Sequence, residues 1–237
     1  MTNFRSEESM VPPGDEAFGA AAGDAEWTRV RHSPLLRAGK RAVDIAAALF
    51  FFCAFGWLFA ILAVGVLITS GAPVLYSQPR YGRGGRIFKF YKFRSMLSNS
   101  AQILEEHLKK DPLARQQWAE YQKLEHDPRI TPFGKFIRKT SLDELPQFWN
   151  VLVGDMSLVG PRPCMLDQKS LYGSDWSFYC AVRPGITGLW QVSGRNQLSY
   201  KARVALDVAY VETLSVGRDI GIFIRTIWVV AVGHGSR

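Results

Sequence analysis

Residues 45–69 read Ile45-Ala-Ala-Ala-Leu-Phe-Phe-Phe-Cys-Ala-Phe-Gly-Trp-Leu-Phe-Ala-Ile-Leu-Ala-Val-Gly-Val-Leu-Ile-Thr69, without a single charge. An uncharged, almost wholly apolar run of this length is membrane-inserting sequence. As a straight helix rising about 1.5 Å per residue it would reach roughly 37 Å, enough to cross a hydrocarbon layer of about 30 Å.

The flanks argue against a simple crossing. Arg29, Arg31, Arg37, Lys40 and Arg41 precede the run, and Arg80, Arg83, Arg86, Lys89, Lys92 and Arg94 follow it. Basic flanks stay on the cytoplasmic side, so both ends favour one face of the membrane. The expectation is a re-entrant helix-break-helix over residues 36–72 that enters and leaves by that face, with the break buried or its backbone groups paired. No proline lies between Arg41 and Pro73, so Gly56 is the best candidate for the bend, although glycine is a weaker breaker. A spanning helix is the alternative, and it would require one basic flank to be translocated.

Upstream, residues 1–35 mix polar residues with Pro12-Pro13-Gly14 and Ala20-Ala-Ala-Gly23 and show no periodicity, which reads as a disordered tail rather than a signal peptide. Downstream lies residues 73–237, enough chain for one core. The whole sequence is 47% hydrophobic with a net charge of +8 and a pI near 9.5. That balance implies an anionic partner: acidic lipid, a phosphorylated substrate or nucleic acid. Nucleic acid is the weakest of these, since no zinc-finger spacing, RNP-like aromatic motif or long basic helix is present. Cys53, Cys164 and Cys180 have no Cys-x-x-Cys spacing, so neither zinc nor a disulfide framework is indicated, and Cys164 and Cys180 read as small buried hydrophobes.

Within 73–237, Val74-Leu-Tyr76 and Ile87 to Phe93 read as strands around the turn Tyr81-Gly-Arg-Gly-Gly-Arg86. Lys92 and Arg94 would share one face of the second strand. Residues 98–126 form a helical insert broken at Asp111-Pro112. Helical patterns recur over Leu198–Ser215 and Asp219–Val232, the latter suited to either a membrane surface or the core.

The chemistry concentrates between residues 138 and 163. Ser141 and Glu144 have capping-box spacing, which would make Ser141 an N-cap, start a helix at Leu142 and set Asp143 at its positive end. Such caps are common, and Asp-Glu in a first turn is also ordinary dipole complementation. Pro161-Arg162-Pro163, after a flexible hinge at Gly160, presents a guanidinium from stiff backbone, an arrangement suited to phosphate oxygens. Two later turns, Arg183-Pro-Gly-Ile-Thr-Gly188 and Ser193-Gly-Arg-Asn196, each carry an arginine. Arg195 is the better phosphate candidate; Arg183 could instead pair with a carboxylate such as Asp207.

Taken together, Lys92-Phe-Arg-Ser-Met96, Thr140-Ser-Leu-Asp-Glu-Leu-Pro-Gln147, Gly154-Asp-Met-Ser-Leu-Val-Gly-Pro-Arg-Pro163, Arg183-Pro-Gly-Ile-Thr-Gly188 and Ser193-Gly-Arg-Asn196 resemble the bacterial sugar transferases, the monotopic polyprenyl-phosphate phosphoglycosyl transferases. The resemblance runs from about Lys40 to the C-terminus, and several long motifs in order make it specific. The family usually breaks its membrane hairpin with a proline, which this sequence lacks.

The resemblance implies an α+β fold: a re-entrant membrane segment at 36–72, then a small, mostly helical cytoplasmic catalytic domain at 73–237 with a short β-hairpin and interfacial amphipathic helices. It implies transfer of a sugar-1-phosphate from a UDP-sugar to undecaprenyl phosphate at the bacterial inner membrane, as the first membrane step of exopolysaccharide or O-antigen assembly. Asp143 would be the nucleophile that forms an aspartyl phosphosugar. Glu144, with Asp143 beside it, would hold Mg²⁺, a hard ion that prefers carboxylates and phosphates. Lys92, Arg94, Arg138, Arg162 and Arg195 would neutralise phosphate. The wording of Gly188–Asn196 and the helical insert are most like the galactose-1-phosphate branch, with glucose-1-phosphate next. The competing class is a non-catalytic, membrane-anchored module that binds acidic lipid or assists polysaccharide assembly.

Overall fold

In the computed structural model, residues 32–121 and 124–232 are described. The expected tail falls almost wholly outside them. The architecture is mixed, with helices around two small two-stranded sheets.

Helix α1, Pro34–Ser70, opens with Ser33 as N-cap, its Oγ accepting from the Leu36 N–H at 3.1 Å, and Pro34 at the first helical position. The break expected near Gly56 does not occur: α1 runs unbroken to Gly71. Glycine removes no backbone N–H, and a Cβ at Gly56 would meet nothing within 4 Å, so neither chemistry nor packing interrupts the ladder there.

Both ends of α1 are fastened to the rest of the chain. Near its start, Asp44 is buried and its Oδ1 accepts from Ser157 Oγ and the Leu158 N–H, both at 2.9 Å. Towards its end, Leu62 and Val66 pack with Phe93 and Ile137. Along the same helix Leu49, Phe50, Phe55, Trp57, Ile61, Val64, Leu67 and Ile68 stay exposed. The result is a helix with one face on the protein and an apolar face left outward.

Strands β1, Leu75–Tyr81, and β2, Ile87–Phe93, form the expected antiparallel hairpin, with Tyr76 opposite Lys92. Its outer turn holds a 3-10 turn, Arg83–Gly85, with Gly84 at φ 68°. The insert is two helices, α2 Ser100–Lys110 and α3 Pro112–Tyr121, divided where expected. Asp111 Oδ1 caps α3 by accepting from the Leu113 and Ala114 N–H groups, and Pro112 begins it.

Helices α4, Pro132–Lys139, and α5, Gln147–Val153, bracket the central motif. A parallel pair, β3 Ser157–Val159 and β4 Gly185–Thr187, carries the chain onward, with α6, Trp176–Ala181, between the two strands in sequence. Helices α7, Tyr200–Glu212, and α8, Val216–Val232, close the described chain. The main core joins Phe88 and Phe90 of β2, Val151 of α5, Val159 of β3, Tyr210 of α7 and Ile222 of α8. Helix α8 buries Ile222 but exposes Ile220, Phe223, Ile224, Ile227 and Trp228.

Gly160 is no hinge. A Cβ there would lie 2.5 Å from the Arg183 carbonyl oxygen, and one at Gly185 would lie 2.1 Å from the Gly160 nitrogen. The two backbones touch because neither residue has a side chain, and the Gly160 N–H donates to the Thr187 carbonyl at 2.9 Å. That contact fixes the point from which Arg162 departs.

Candidate active site

Asp143 and Glu144 lie in a single 3-10 turn, Leu142–Glu144. The expected capping box is absent. Ser141 takes a left-handed conformation, φ 57°, its side chain caps nothing, and its carbonyl accepts from the Glu144 N–H at 3.2 Å. Helix α5 begins only at Gln147, because Pro146 has no N–H to offer the Leu142 carbonyl, which accepts from Leu145 instead. Asp143 therefore sits in a tight turn ahead of α5 and not in its first turn.

This turn forms part of the wall of a cavity of about 1320 Å³, and all seven expected residues, Lys92, Arg94, Arg138, Asp143, Glu144, Arg162 and Arg195, line it. Among the described residues, the non-glycine positions with positive φ are Ser141 and Arg195, and both line the same cavity. Such conformations cost on the order of 1 kcal/mol or more and concentrate where function fixes geometry.

Lys92 Nζ is 2.7 Å from Glu144 Oε1 and 3.7 Å from Asp143 Oδ2, so one cation serves both carboxylates. Arg162 Nη2 approaches Glu144 Oε1 at 3.8 Å from the other side. Arg138 Nε donates to Ser95 Oγ at 2.7 Å, with its charge near Asp143. Arg195 Nε donates to the Gln191 carbonyl at 3.0 Å, within the field of Glu144.

Arg94 differs from the others. Its Nη1 donates to the Ala72 carbonyl at 3.1 Å, tying the end of β2 to the segment after α1. Sharing a strand face with Lys92 does not bring it to the carboxylates. Arg183 does not pair with Asp207 either: its Nε donates to the Gly154 carbonyl at 2.7 Å, while Asp207 Oδ2 accepts from the Tyr172 hydroxyl at 2.8 Å.

The two adjacent carboxylates are driven in opposite directions. Burial pushes Asp143 up, Lys92 and Arg138 pull it back, and the charge of Glu144 adds to the rise, so it ends above the ordinary aspartate value. Burial also pushes Glu144 up, but Lys92 and Arg162 more than offset this and hold it below the ordinary glutamate value. Neighbouring carboxyls whose pKa values separate in this way take separate roles. Glu144 is the member whose charged form its neighbours favour. Asp143, less fully engaged, keeps oxygen lone pairs available towards the cavity.

Residues 35–233 match the family pattern of the bacterial sugar transferases. The chain belongs to the bacterial sugar transferase family. This sugar transferase is 50% identical over 197 residues to a UDP-galactose-lipid carrier transferase of Erwinia amylovora, covering 83% of the chain and 41% of that protein. It is 52% identical over 167 residues to the undecaprenyl-phosphate galactose phosphotransferase of Salmonella typhimurium, covering 70% of the chain and 35% of that protein. It therefore spans well under half the length of these two relatives. The exopolysaccharide production protein ExoY of Sinorhizobium fredii is 42% identical over 203 residues, covering 86% of the chain and 90% of that protein.

Sequence reasoning missed much of the cavity wall. Arg80 is buried on β1, with Nη1 donating to the Pro163 carbonyl at 3.2 Å. Arg203 lies over the Trp190 ring at 4.8 Å, and Gln168, Tyr200 and Asp207 complete that side. The insert contributes Ala101, Leu104 and Trp118. For Arg80 no signal existed, since basic residues surround it in sequence. For Asp207, an acid alone on the apolar side of a helix was a visible cue.

Cys164 and Cys180 are buried, as expected. Burial pushes the Cys164 thiol up to about 11 and the Cys180 thiol up to about 12.

Proposed function

We propose that this chain transfers a sugar-1-phosphate, galactose-1-phosphate first and glucose-1-phosphate next, from a UDP-sugar to undecaprenyl phosphate with release of UMP. The observation that carries this is the pair Asp143–Glu144 under Lys92, with Arg138, Arg162 and Arg195 lining the same cavity. Phosphoryl transfer needs positioning and cations around the reacting phosphorus more than it needs proton chemistry. The names of the relatives support the donor and acceptor, and the near full-length match to an exopolysaccharide production protein supports a place in exopolysaccharide assembly.

In the first step an ionised Asp143 oxygen attacks the sugar-bearing phosphorus. The O–P bond forms as the bond from that phosphorus to the bridging oxygen breaks, and UMP leaves with the electron pair. In the second step the polyprenyl phosphate oxygen attacks the same phosphorus and the carboxylate is released. Lys92, Arg138, Arg162 and Arg195 neutralise the phosphoryl oxygens; Arg94 serves the edge of the site. Glu144, held ionised, offers a hard oxygen fit for Mg²⁺, with Asp143 adjacent and the rest of the shell left to water and phosphate. When bound, that ion would add positive charge at the phosphate oxygens.

The same reading places the chain at the inner membrane with the cavity on the cytoplasmic side. Contacts of α1 with the rest of the chain extend from Lys40 to Ser70, about 45 Å of helix at 1.5 Å per residue. A helix held by one domain at both ends cannot deliver those ends to opposite faces of the bilayer. We read α1 as an unbroken helix whose outward apolar face enters the lipid with both ends on one side. Helix α8, with Trp228 70% exposed, lies at the interface.

Asp143→Asn is expected to lower UMP release by at least about 10³-fold, since the nucleophile is removed. Mass spectrometry of enzyme quenched with UDP-sugar should find the phosphosugar on the peptide holding Asp143. An adduct on another residue, or undiminished UMP from the variant, would refute the assignment. A chain that only held acidic lipid would release no UMP at all.

A further inference from the structure

A second cleft, remote in composition from the catalytic cavity, lies where the start of α1 meets the hairpin turn and the segment before β4. Its lining includes His32, Arg37, Lys40, Arg83 and Arg183, with Asp44 as its acidic member. None of the residues placed in the phosphate chemistry lines it. Three stretches of chain far apart in sequence thus bring arginines to one place.

These charges crowd one another. Partial desolvation, then Arg37 and Arg86, pull Arg83 below the ordinary guanidinium value. Desolvation, then Arg41 and Arg83, do the same to Arg183. Burial and Arg37 lower His32.

The carboxylates nearby are committed elsewhere. Asp44 accepts from Ser157 and Leu158, Lys40 is taken by Asp219 at 2.5 Å, and Asp155 accepts from Asn150 at 3.3 Å. Arg41 is spent on the Val151 and Leu152 carbonyls at the end of α5, and Arg183 uses its Nε on Gly154. Among the described residues, Arg37 and Arg83 are left facing like charge without an acidic partner.

We propose that this cleft binds the phosphate of an anionic membrane lipid headgroup. The volume is about 30 Å³, so the cleft seats phosphate oxygens at its mouth and no larger ligand. Arginine forks suit that group. Location selects the lipid source over a soluble one: Arg37 and Lys40 stand one to two turns before the uncharged run that starts at Ile45, the depth at which headgroups meet an inserted apolar helix. The bound lipid would relieve the repulsion and hold the hairpin turn against α1. This goes beyond the transfer reaction and does not depend on the nucleophile.

The test is thermal unfolding of the full chain in neutral detergent, with short-chain phosphatidylglycerol, short-chain phosphatidylcholine or inorganic phosphate added. Phosphatidylglycerol is expected to raise Tm and phosphatidylcholine to leave it unchanged. In Arg83→Gln and Arg37→Gln most of the phosphatidylglycerol shift should vanish, with affinity lower by roughly fivefold per arginine. Lys201→Gln, an exposed charge on α7, should keep the shift. Without added anion, Arg83→Gln should match or exceed the parent in Tm, because it removes repulsion, whereas a merely structural arginine would lower it. A lowered Tm without anion, equal loss of the shift in Lys201→Gln, or an equal, Arg83-dependent shift with inorganic phosphate would each overturn the lipid assignment.

Discussion

Two walls of the same cavity each carry a buried aspartate, and they treat it differently. Asp143 is 7% exposed and has Lys92 at 3.7 Å with Arg138 nearby. Asp207 is 3% exposed, and its hydrogen bond is from the Tyr172 hydroxyl, with Tyr200 and Cys164 in the surroundings. Burial raises both carboxyls. On the second wall little opposes it beyond the Tyr172 hydrogen bond, and Asp207 is pushed up to about 7. A neutralised carboxyl cannot attack phosphorus. The cations on the first wall are what distinguish Asp143 from a carboxyl that only accepts a hydrogen bond at the same depth.

The sharpest way to break the contrast is to make the first wall resemble the second. Lys92→Gln removes the largest attraction on Asp143 and the direct partner of Glu144. The loss of kcat/KM at neutral pH is expected to be on the order of 10²-fold or more. Because Lys92 favours the ionised form, its removal raises the Asp143 pKa further. The acid limb of the pH–rate profile should therefore move to higher pH, and part of the lost activity should return on alkaline titration. An unmoved limb would mean that Lys92 binds substrate without tuning the nucleophile.

A smaller effect sharpens the division of labour. Arg162 meets Glu144 at 3.8 Å and is more exposed than Lys92. Arg162→Lys keeps the charge but loses the planar fork. A drop of about tenfold in kcat/KM is expected, the size of one charge-assisted contact of about 1.4 kcal/mol. The acid limb should stay in place, since the Arg162 contact is with Glu144.

How much of this could be read from the chain follows the same line. The hairpin and the two insert helices were legible, because alternation and Asp-Pro punctuation are local signals; Lys92 entered as a site candidate through the family resemblance, and its contacts with Asp143 and Glu144 come from the fold. The turn at Ser141 was not legible. Capping-box spacing is a pattern of side chains, whereas the missing N–H of Pro146 and the left-handed Ser141 decide where the helix can begin.

Arg94 lines the cavity as expected, but its contact could not be read from the strand pattern. Sharing a strand face says which way a side chain leaves, and Ala72 then captured it at the strand's end. Gly160 looked like a hinge until its partner Gly185, far along the chain, was in view. The unbroken α1 was not read: the charged flanks argued for a break within 36–72, but they set which side the ends favour and do not interrupt a helix that contains no interior proline.

The phenolic wall supplies the last test, with the smallest expected effect on activity. Asp207 titrates near 7 when folded, against an ordinary value of 3.8. Between those values the folded protein keeps a proton that the unfolded chain has already released. Stability from this group therefore falls as pH rises through the window, and its cost is complete above about pH 7.

Asn at this position still accepts from the Tyr172 hydroxyl but takes no proton. Relative to the parent, Asp207→Asn should gain nothing near pH 4 and gain increasingly up to about pH 7, on the order of a few kcal/mol at most. Unfolding followed by Tm across that range measures it, with kcat/KM held within about twofold at neutral pH. A variant whose advantage stays flat with pH would show that Asp207 remains charged in the fold, held by a cation as Asp143 is. The two walls would then differ in composition without differing in electrostatic effect.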